Sequence, residues 1–210
     1  MTLLNLAEIC PASRTLGPGQ RFVIWVQGCC FNCRDCISPE WIVQQQANLV
    51  EPNTLANTIL AVPGTEGLTI SGGEPMLQAA ALTELLTDLL EKQDLSIICF
   101  TGFTLKQLLA KSDPAIHRLL QMIDVLIDGQ YMAELNDNQG WRGSANQVVH
   151  FLSSRHLPDA DLFSGRSRHV EIHLRNDSAL MVGIPPHDFS PNFQQAVEVA
   201  SKVSRNRVSM

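Results

Sequence analysis

The stretch Phe22-Val23-Ile24-Trp25-Val26-Gln27-Gly28-Cys29-Cys30-Phe31-Asn32-Cys33-Arg34-Asp35-Cys36 places a cysteine-rich loop directly after an apolar segment. It contains four of the six cysteines of the chain. Thiolates this crowded are typical of a soft-metal site, because four cysteines so close together cannot form two unstrained disulfides. We therefore expect residues 27–36, the cysteine loop, to bind metal and to carry the function.

Composition excludes several classes of protein. A chain of 210 residues with 45% hydrophobic and 17% charged residues is typical of one globular domain, or of one domain with a small appendage. The net charge of -6 gives no basic surface for nucleic acid or an anionic membrane. No apolar run reaches the roughly 18 residues that span a bilayer. Residues 1–12 lack the basic start of a signal peptide, so clustered cysteines predict a reducing cytoplasm.

Strand and helix signals alternate along the first 130 residues. Apolar runs at 21–26, 67–71, 95–100 and 125–127 predict buried strands, and the leucine pattern from 82 to 90 predicts the clearest helix. Repeated β-then-α units predict a mostly parallel sheet with helices outside it. These units are too few for a complete barrel of eight, so we expect an α/β fold, either a partial (βα) barrel or an open sheet.

Four unusual loops follow the predicted strands. They are the cysteine loop, Gly72-Gly73-Glu74-Pro75, Thr101-Gly102-Phe103 and Asp128-Gly129. In parallel α/β folds the functional groups collect at the carboxyl ends of the strands. We therefore expect these four loops to meet at one edge of the sheet.

The chain divides by pattern at about residue 154. Residues 1–154 are expected to form the core, and residues 155–210 a C-terminal extension packed on it. Within this extension, 155–168 is polar and irregular and is interpreted as a surface loop or insertion. Residues 170–174 and 179–182 predict a hairpin around Asn176-Asp177, and the tail after Pro191 has a weak helical pattern.

The cysteine loop allows two registers. Cys29, Cys33 and Cys36 give C-x3-C-x2-C, whereas Cys30 with the last two gives C-x2-C-x2-C. The second register suits a bacterial ferredoxin, but that motif needs a fourth cysteine followed by proline. Position 40 is Glu40, so the ferredoxin motif is incomplete.

A structural zinc site is also poorly supported. It would need a second C-x2-C pair or a spaced histidine pair, and Cys10 and Cys99 are isolated. We interpret these two as ordinary buried thiols. Three thiolates without an obvious fourth ligand suggest an iron–sulfur cluster with one open iron, which is a catalytic arrangement.

The C-x3-C-x2-C register is the hallmark of the radical S-adenosylmethionine (SAM) superfamily. The chain resembles its small activating-enzyme branch, in particular the activases of anaerobic ribonucleotide reductase, over most of residues 5–150. The resemblance is carried by the following segments: Gly17-Pro18-Gly19, Gln27 to Cys36, Ser38-Pro39-Glu40-Trp41, Ser71-Gly72-Gly73-Glu74-Pro75, Thr101-Gly102-Phe103, Asp124 to Gly129, and Arg142-Gly143-Ser144-Ala145-Asn146-Gln147.

This resemblance implies a cofactor pair and a reaction. Cys29, Cys33 and Cys36 would bind three irons of a [4Fe-4S] cluster, and SAM would bind the fourth iron. An electron from the cluster, supplied by a flavodoxin- or ferredoxin-type donor, would cleave SAM to a 5′-deoxyadenosyl radical. That radical would generate a glycyl radical on a partner enzyme such as anaerobic ribonucleotide reductase.

The resemblance also assigns cofactor-binding residues. Gly72 and Gly73 lack side chains and let the backbone approach a ligand closely, so with Glu74 they suit the methionine part of SAM. We expect Gly73→Val to keep iron but to weaken SAM binding. Thr101 is expected along the adenosine part. Asp128 is expected to bind a ribose hydroxyl or an ammonium group, or else to form a turn at a strand end.

Three other residues leave alternatives open. Cys30 is an extra thiol and an alternative first ligand. Asp35 lies where many members of the superfamily carry an aromatic or small residue, and its charge is hypothesised to lower the cluster potential, which Asp35→Gly would test. Asn146 is a cofactor contact or part of a tight turn.

Three functions are compatible with the sequence. The first is a radical SAM activase that installs a glycyl radical. The second keeps the radical chemistry but acts on another peptide or a small metabolite. The third is a non-catalytic iron–sulfur electron-transfer protein, against which the missing fourth cysteine argues.

Overall fold

A computed structural model describes residues 2–165 and 167–186, together with residues 189 and 193. The strands in these residues are β1 (Leu4–Ser13), β2 (Arg21–Val26), β3 (Asn48–Val50), β4 (Gly67–Gly72), β5 (Ser96–Thr101), β6 (Val125–Asp128), β7 (Val148–Phe151), β8 (Val170–Leu174) and β9 (Ala179–Gly183). The α-helices are α1 (Pro52–Leu60), α2 (Ala79–Leu90), α3 (Leu105–Leu109), α4 (Pro114–Met122) and α5 (Ala160–Gly165). No helix in this part of the chain is both long and apolar enough to cross a membrane.

Seven of these strands form one mixed sheet in the order β3-β1-β2-β4-β5-β6-β7. The four central strands, β2, β4, β5 and β6, are parallel, whereas β1, β3 and β7 pair antiparallel with their neighbours. This arrangement confirms the predicted α/β class with a large sheet whose centre is parallel. The sequence pattern misses the three antiparallel strands.

The two faces of the sheet have different cover. On β2, Phe22, Ile24 and Val26 belong to the main core beneath α1, α2 and α4. The alternating residues Val23 and Trp25 belong to a separate apolar cluster on the opposite face. We call this second face the inner face. Because successive side chains of a strand point to opposite faces, every central strand has residues on each face of the sheet.

A buried arginine closes the amino-terminal end of the inner face. Arg21 is completely buried, and its five N–H groups all find acceptors. Its Nε donates to Thr69 Oγ1 at 2.6 Å, and its Nη1 donates to Ser96 Oγ at 2.7 Å. Satisfied hydrogen bonds are what make such a buried charge tolerable. The opposite, carboxyl edge of the central strands carries the four loops.

The C-terminal extension contains one helix that was not predicted and the hairpin that was predicted. Residues 155–168, interpreted as a surface loop, include α5, whose Phe163 is buried with its ring centroid 4.8 Å from that of Trp141. A six-residue helix is too short to show helical periodicity, so the prediction was wrong there. The hairpin is confirmed by the antiparallel pairing of β8 with β9. Apart from residue 193, the tail after Pro191 lies outside the described residues.

Candidate functional site

The four loops lie at one edge of the sheet, as predicted. Val26, the last residue before the cysteine loop, is in register with Gly72. Thr101 is in register with Asp128. Because β2, β4, β5 and β6 are neighbours, the loops that leave their carboxyl ends are also neighbours.

The segment that follows the cysteine loop holds the loop in place. The backbone N–H of Gly28 donates to the Trp41 carbonyl at 2.9 Å, and that of Cys29 donates to the Ile42 carbonyl at 3.0 Å. Trp41 lies on Trp25 of β2, with 5.6 Å between ring centroids. The start of the loop is therefore attached both to its own strand and to the returning chain.

The four thiols of the loop differ in exposure. Cys29, Cys33 and Cys36 are half-buried, whereas Cys30 is exposed. The Phe31 N–H donates to Cys29 Sγ at 3.4 Å. The pKa of Cys29 is raised to about 11, mainly by burial and to a smaller extent by the nearby Glu74, Cys30 and Cys33. A metal that binds this sulfur therefore has to displace its proton.

The thiols also suit an iron–sulfur cluster chemically. Within the described residues, no three Cys, His, Asp or Glu side chains are gathered closely enough to hold a metal ion. The electrostatic influence of Cys33 nevertheless raises the pKa of Cys36 as well as that of Cys29, with burial as the larger cause in both. Three soft thiolate donors on one short loop match the ligand type of such clusters.

The backbone conformation at position 35, just before the last cysteine of the loop, favours Asp35. It adopts a left-handed backbone with φ of 57°, which only Gly, Asn and Asp adopt readily. Its carboxylate lies on the surface, 3.6 Å from the Arg34 guanidinium. The proposed Asp35→Gly experiment therefore also changes a turn residue, and the measured potential has to be read together with the cluster content.

The Gly-Gly-Glu-Pro turn is joined to the cysteine loop by its backbone. The Gly73 N–H donates to the Val26 carbonyl at 2.7 Å, and the Glu74 N–H donates to the Gly28 carbonyl at 2.8 Å. A Cβ added to Gly73 would lie 2.1 Å from the Gly28 oxygen, and one added to Gly72 would lie 2.4 Å from the Val26 nitrogen. Gly73 therefore permits close contact with the cysteine loop, and Gly72 permits close contact with the end of β2. The expectation that Gly73→Val keeps iron consequently has to be revised.

The Glu74 side chain points into the protein. It is completely buried, and its Oε1 accepts the Thr101 hydroxyl at 2.8 Å and the Met76 N–H at 2.9 Å. Its Oε2 accepts the Gly102 N–H at 2.8 Å. Burial raises the pKa of this carboxyl, while the hydrogen bonds oppose the rise. Glu74 thus connects the turn after β4 to the turn after β5.

Glu74→Gln is expected to lower the free energy of unfolding by about 1–3 kcal/mol, because the amide NH₂ would face one of the three donors. Glu91→Gln changes an exposed glutamate in the same way and should have little effect. Urea denaturation of the two variants makes the comparison. Equal stability of both would contradict the hydrogen-bond role of Glu74.

Thr101 and Asp128 also use their side chains within the protein. The Thr101 hydroxyl accepts the Phe103 N–H at 3.2 Å. Asp128 Oδ2 accepts the Leu105 N–H at 2.5 Å and lies 2.8 Å from His150 Nε2. Asp128 therefore fixes the start of α3. His150 was not predicted as a site residue, because the strand that carries it, β7, was not predicted.

Phe31 brings the cysteine loop onto the Thr-Gly-Phe turn. Its ring lies 4.8 Å, centroid to centroid, from that of Phe103. A Cβ added to Gly102 would lie 2.5 Å from the Phe31 ring. The absence of a side chain at Gly102 thus permits this contact, which no pattern in the sequence indicates.

The segment around Asn146 forms a tight turn. This is one of the two roles that the sequence left open for Asn146, the other being a cofactor contact. Gln147 Oε1 accepts the Gly143 and Ser144 N–H groups at 2.7 and 3.2 Å, and its Nε2 donates to the Gly129 carbonyl at 2.7 Å. Asn146 Nδ2 donates to the Gln130 carbonyl at 2.8 Å. Both amides therefore hold the loop that follows β6.

Comparison with known proteins identifies the family. A family model described as a 4Fe-4S single cluster domain matches residues 15–150. Anaerobic ribonucleoside-triphosphate reductase-activating proteins of Vibrio cholerae and Haemophilus influenzae are 34% and 32% identical to this chain, over 70% of it and 97% of their own length. That of Escherichia coli K12 is 29% identical over 71% of the chain and 99% of its own. The chain therefore belongs to the family of anaerobic ribonucleoside-triphosphate reductase-activating proteins, as its sequence motifs predict.

Proposed function

We propose that this chain is an iron–sulfur radical SAM enzyme that generates a glycyl radical on a partner enzyme, anaerobic ribonucleotide reductase or a close equivalent. The supporting observation is the direct linkage of three loops: the Gly-Gly-Glu-Pro turn bonds to the cysteine loop, and Glu74 and Phe31 join both to the Thr-Gly-Phe turn. Such linkage is what a site needs when a cluster and a ligand must be held in fixed relation.

In this proposal Cys29, Cys33 and Cys36 hold a [4Fe-4S] cluster, and the backbone of Gly72 and Gly73 receives the methionine part of SAM. The chemistry that the pair supplies when bound is reductive cleavage of the sulfonium bond to a 5′-deoxyadenosyl radical. Half-burial of the three thiols, against the exposure of Cys30, supports the register that begins at Cys29.

Three side chains act by positioning in this proposal. Glu74, Thr101 and Asp128 make their hydrogen bonds to neighbouring backbone and side chains. They would hold the turns whose backbone meets SAM. A pre-organised backbone is effective here because it needs no rearrangement at the moment of reaction.

Four further assignments belong to the proposal. The sheet curves as a partial (βα) barrel around the cofactors. The core ends near residue 154 and the C-terminal extension follows it. The electron donor is a flavodoxin- or ferredoxin-type protein, and the enzyme works in the cytoplasm.

The test is reductive SAM cleavage. The protein is reconstituted anaerobically with iron and sulfide, reduced with dithionite and mixed with SAM, and 5′-deoxyadenosine is measured. An intact cluster without cleavage would contradict the proposal and favour an electron carrier. If cleavage occurs, a glycyl-radical signal in electron paramagnetic resonance on mixing with the reductase separates the activase from an enzyme acting on another peptide or metabolite.

A further inference from the structure

The C-terminal extension covers the inner face of the sheet. Its apolar residues on that face are Phe163 of α5, Leu180 and Val182 of β9, and Ile184. The inner-face residues of β2, including Trp25, pack with β9, whereas those of β5 and β6 pack with α5. Ile184 packs with both groups, as does Phe100 of β5. The cover therefore reaches β1 and β2 through β9, and β5, β6 and β7 through α5.

The covered residues include the strand residues that lead into the proposed cofactor site. Trp25 is three residues before Gly28, and Phe100 immediately precedes Thr101. Both face the extension rather than α1, α2 and α4. The family model ends at residue 150, so the part of the chain that provides this cover falls outside it.

Polar contacts fix the cover to the core. The Arg168 side chain, only 1% exposed, donates to Asn136 Oδ1 at 2.6 Å and to the Gly143 carbonyl at 3.1 Å. The Thr15 hydroxyl donates to the Val182 carbonyl at 3.1 Å. Buried charge-assisted hydrogen bonds of this kind are costly to break, so they indicate a permanent structure rather than a lid.

Close packing at the base of the hairpin supports the same conclusion. A Cβ added to Gly183 would lie 2.5 Å from the His169 oxygen and 3.3 Å from Thr15 Cβ. On the outer edge, Arg175 Nη1 donates to Glu8 Oε2 at 2.8 Å. The hairpin therefore contacts β1 at Glu8 and the segment just after β1 at Thr15.

We propose that the C-terminal extension is a fixed wall that closes the inner face, with Ile184 at its centre beneath the cofactor turns. The link to catalysis rests on the proposed function. With Arg21 at the amino-terminal end and the wall across the face, the residues that the structure describes leave the carboxyl edge as the route for a substrate to the radical. The wall also keeps water and stray hydrogen donors away, as a reactive intermediate requires.

The test uses the full chain and a matched pair of substitutions. Ile184→Asp places a charge in the wall, whereas Ile172→Asp places one on the same hairpin at a residue that is 42% exposed. The three tryptophans report on the inner face, since Trp25, Trp41 and Trp141 all belong to its clusters. We expect acrylamide quenching of their fluorescence to rise at least twofold in Ile184→Asp and to stay unchanged in Ile172→Asp.

A second variant and a second measurement cover other outcomes. If Ile184→Asp does not fold, Ile184→Ala replaces it in the experiment. Ile184→Ala keeps an apolar residue, so we expect it to show a smaller rise in quenching. Amide hydrogen exchange of β8 and β9 should stay slow when SAM or the reductase is added. Unchanged quenching in a folded Ile184 variant would contradict the proposal of a fixed wall. Faster amide hydrogen exchange of β8 and β9 on adding SAM or the reductase would also contradict it.

SAM cleavage separates this proposal from the proposed function. Opening the wall should raise 5′-deoxyadenosine formation in the absence of the partner. If quenching rises while neither the unaltered protein nor any variant cleaves SAM, the wall is supported and the proposed function fails.

Discussion

Cys33→Ala is expected to abolish the iron–sulfur cluster and SAM cleavage together. Cys33 is shared by both possible registers of the cysteine loop, so its loss cannot be compensated by a change of register. Changes to groups that only surround a metal site cost about 10–100-fold in affinity or activity. Loss of a ligand should therefore reduce 5′-deoxyadenosine formation by more than about 100-fold. Iron and sulfide content and the visible absorption of the reconstituted protein give the parallel measurement.

Cys30→Ala is the matched control for this experiment. Cys30 is exposed and lies beside Cys29, so its removal tests the same loop with the same substitution. If Cys29 is the first ligand, Cys30→Ala keeps both the cluster and the cleavage activity. A Cys33→Ala protein that retains a full cluster and cleaves SAM would contradict the ligand assignment. Loss of the cluster in Cys30→Ala would favour the other register.

The central strands could be predicted because burial on both faces leaves a continuous apolar run. Residues 21–26 are predicted and observed as a strand with the same bounds. β1 and β3 could not be predicted in this way. β1 contains Pro11 and is half-buried at many positions, and β3 has three residues of which two are exposed. β3 owes its existence to pairing with β1, which is a tertiary effect.

The meeting of the four loops was predictable, whereas the direction of their side chains was not. A sequence shows that Glu74 and Asp128 are carboxylates at strand ends, which is compatible with ligand binding or with an internal hydrogen bond. Only the fold reveals that Gly102 and Leu105 supply N–H donors to them. Phe31 was missed for the same reason, since its contact with Phe103 joins loops 72 residues apart. The wall depends in the same way on contacts between β9 and β2.

The glycine at position 73 gives the sharpest test of how the cysteine loop is held. Gly73→Ala adds one carbon, which would lie 2.1 Å from the Gly28 oxygen and 2.6 Å from the Gly28 carbonyl carbon. Both neighbouring atoms are backbone, so the cysteine loop has to move. The hydrogen bond from the Glu74 N–H to the Gly28 carbonyl is then stretched or lost.

Gly73→Ala is therefore expected to lower the free energy of unfolding by about 2–4 kcal/mol, from overpacking together with the lost hydrogen bond. Cluster content and SAM affinity should fall together, because the displaced segment leads directly into Cys29. Gly165→Ala is the control, since a Cβ there meets nothing within 4 Å. Urea denaturation, iron analysis and equilibrium binding of SAM measure the three effects. A Gly73→Ala protein with full iron and weakened SAM binding alone would show that the turn contacts SAM without supporting the cysteine loop.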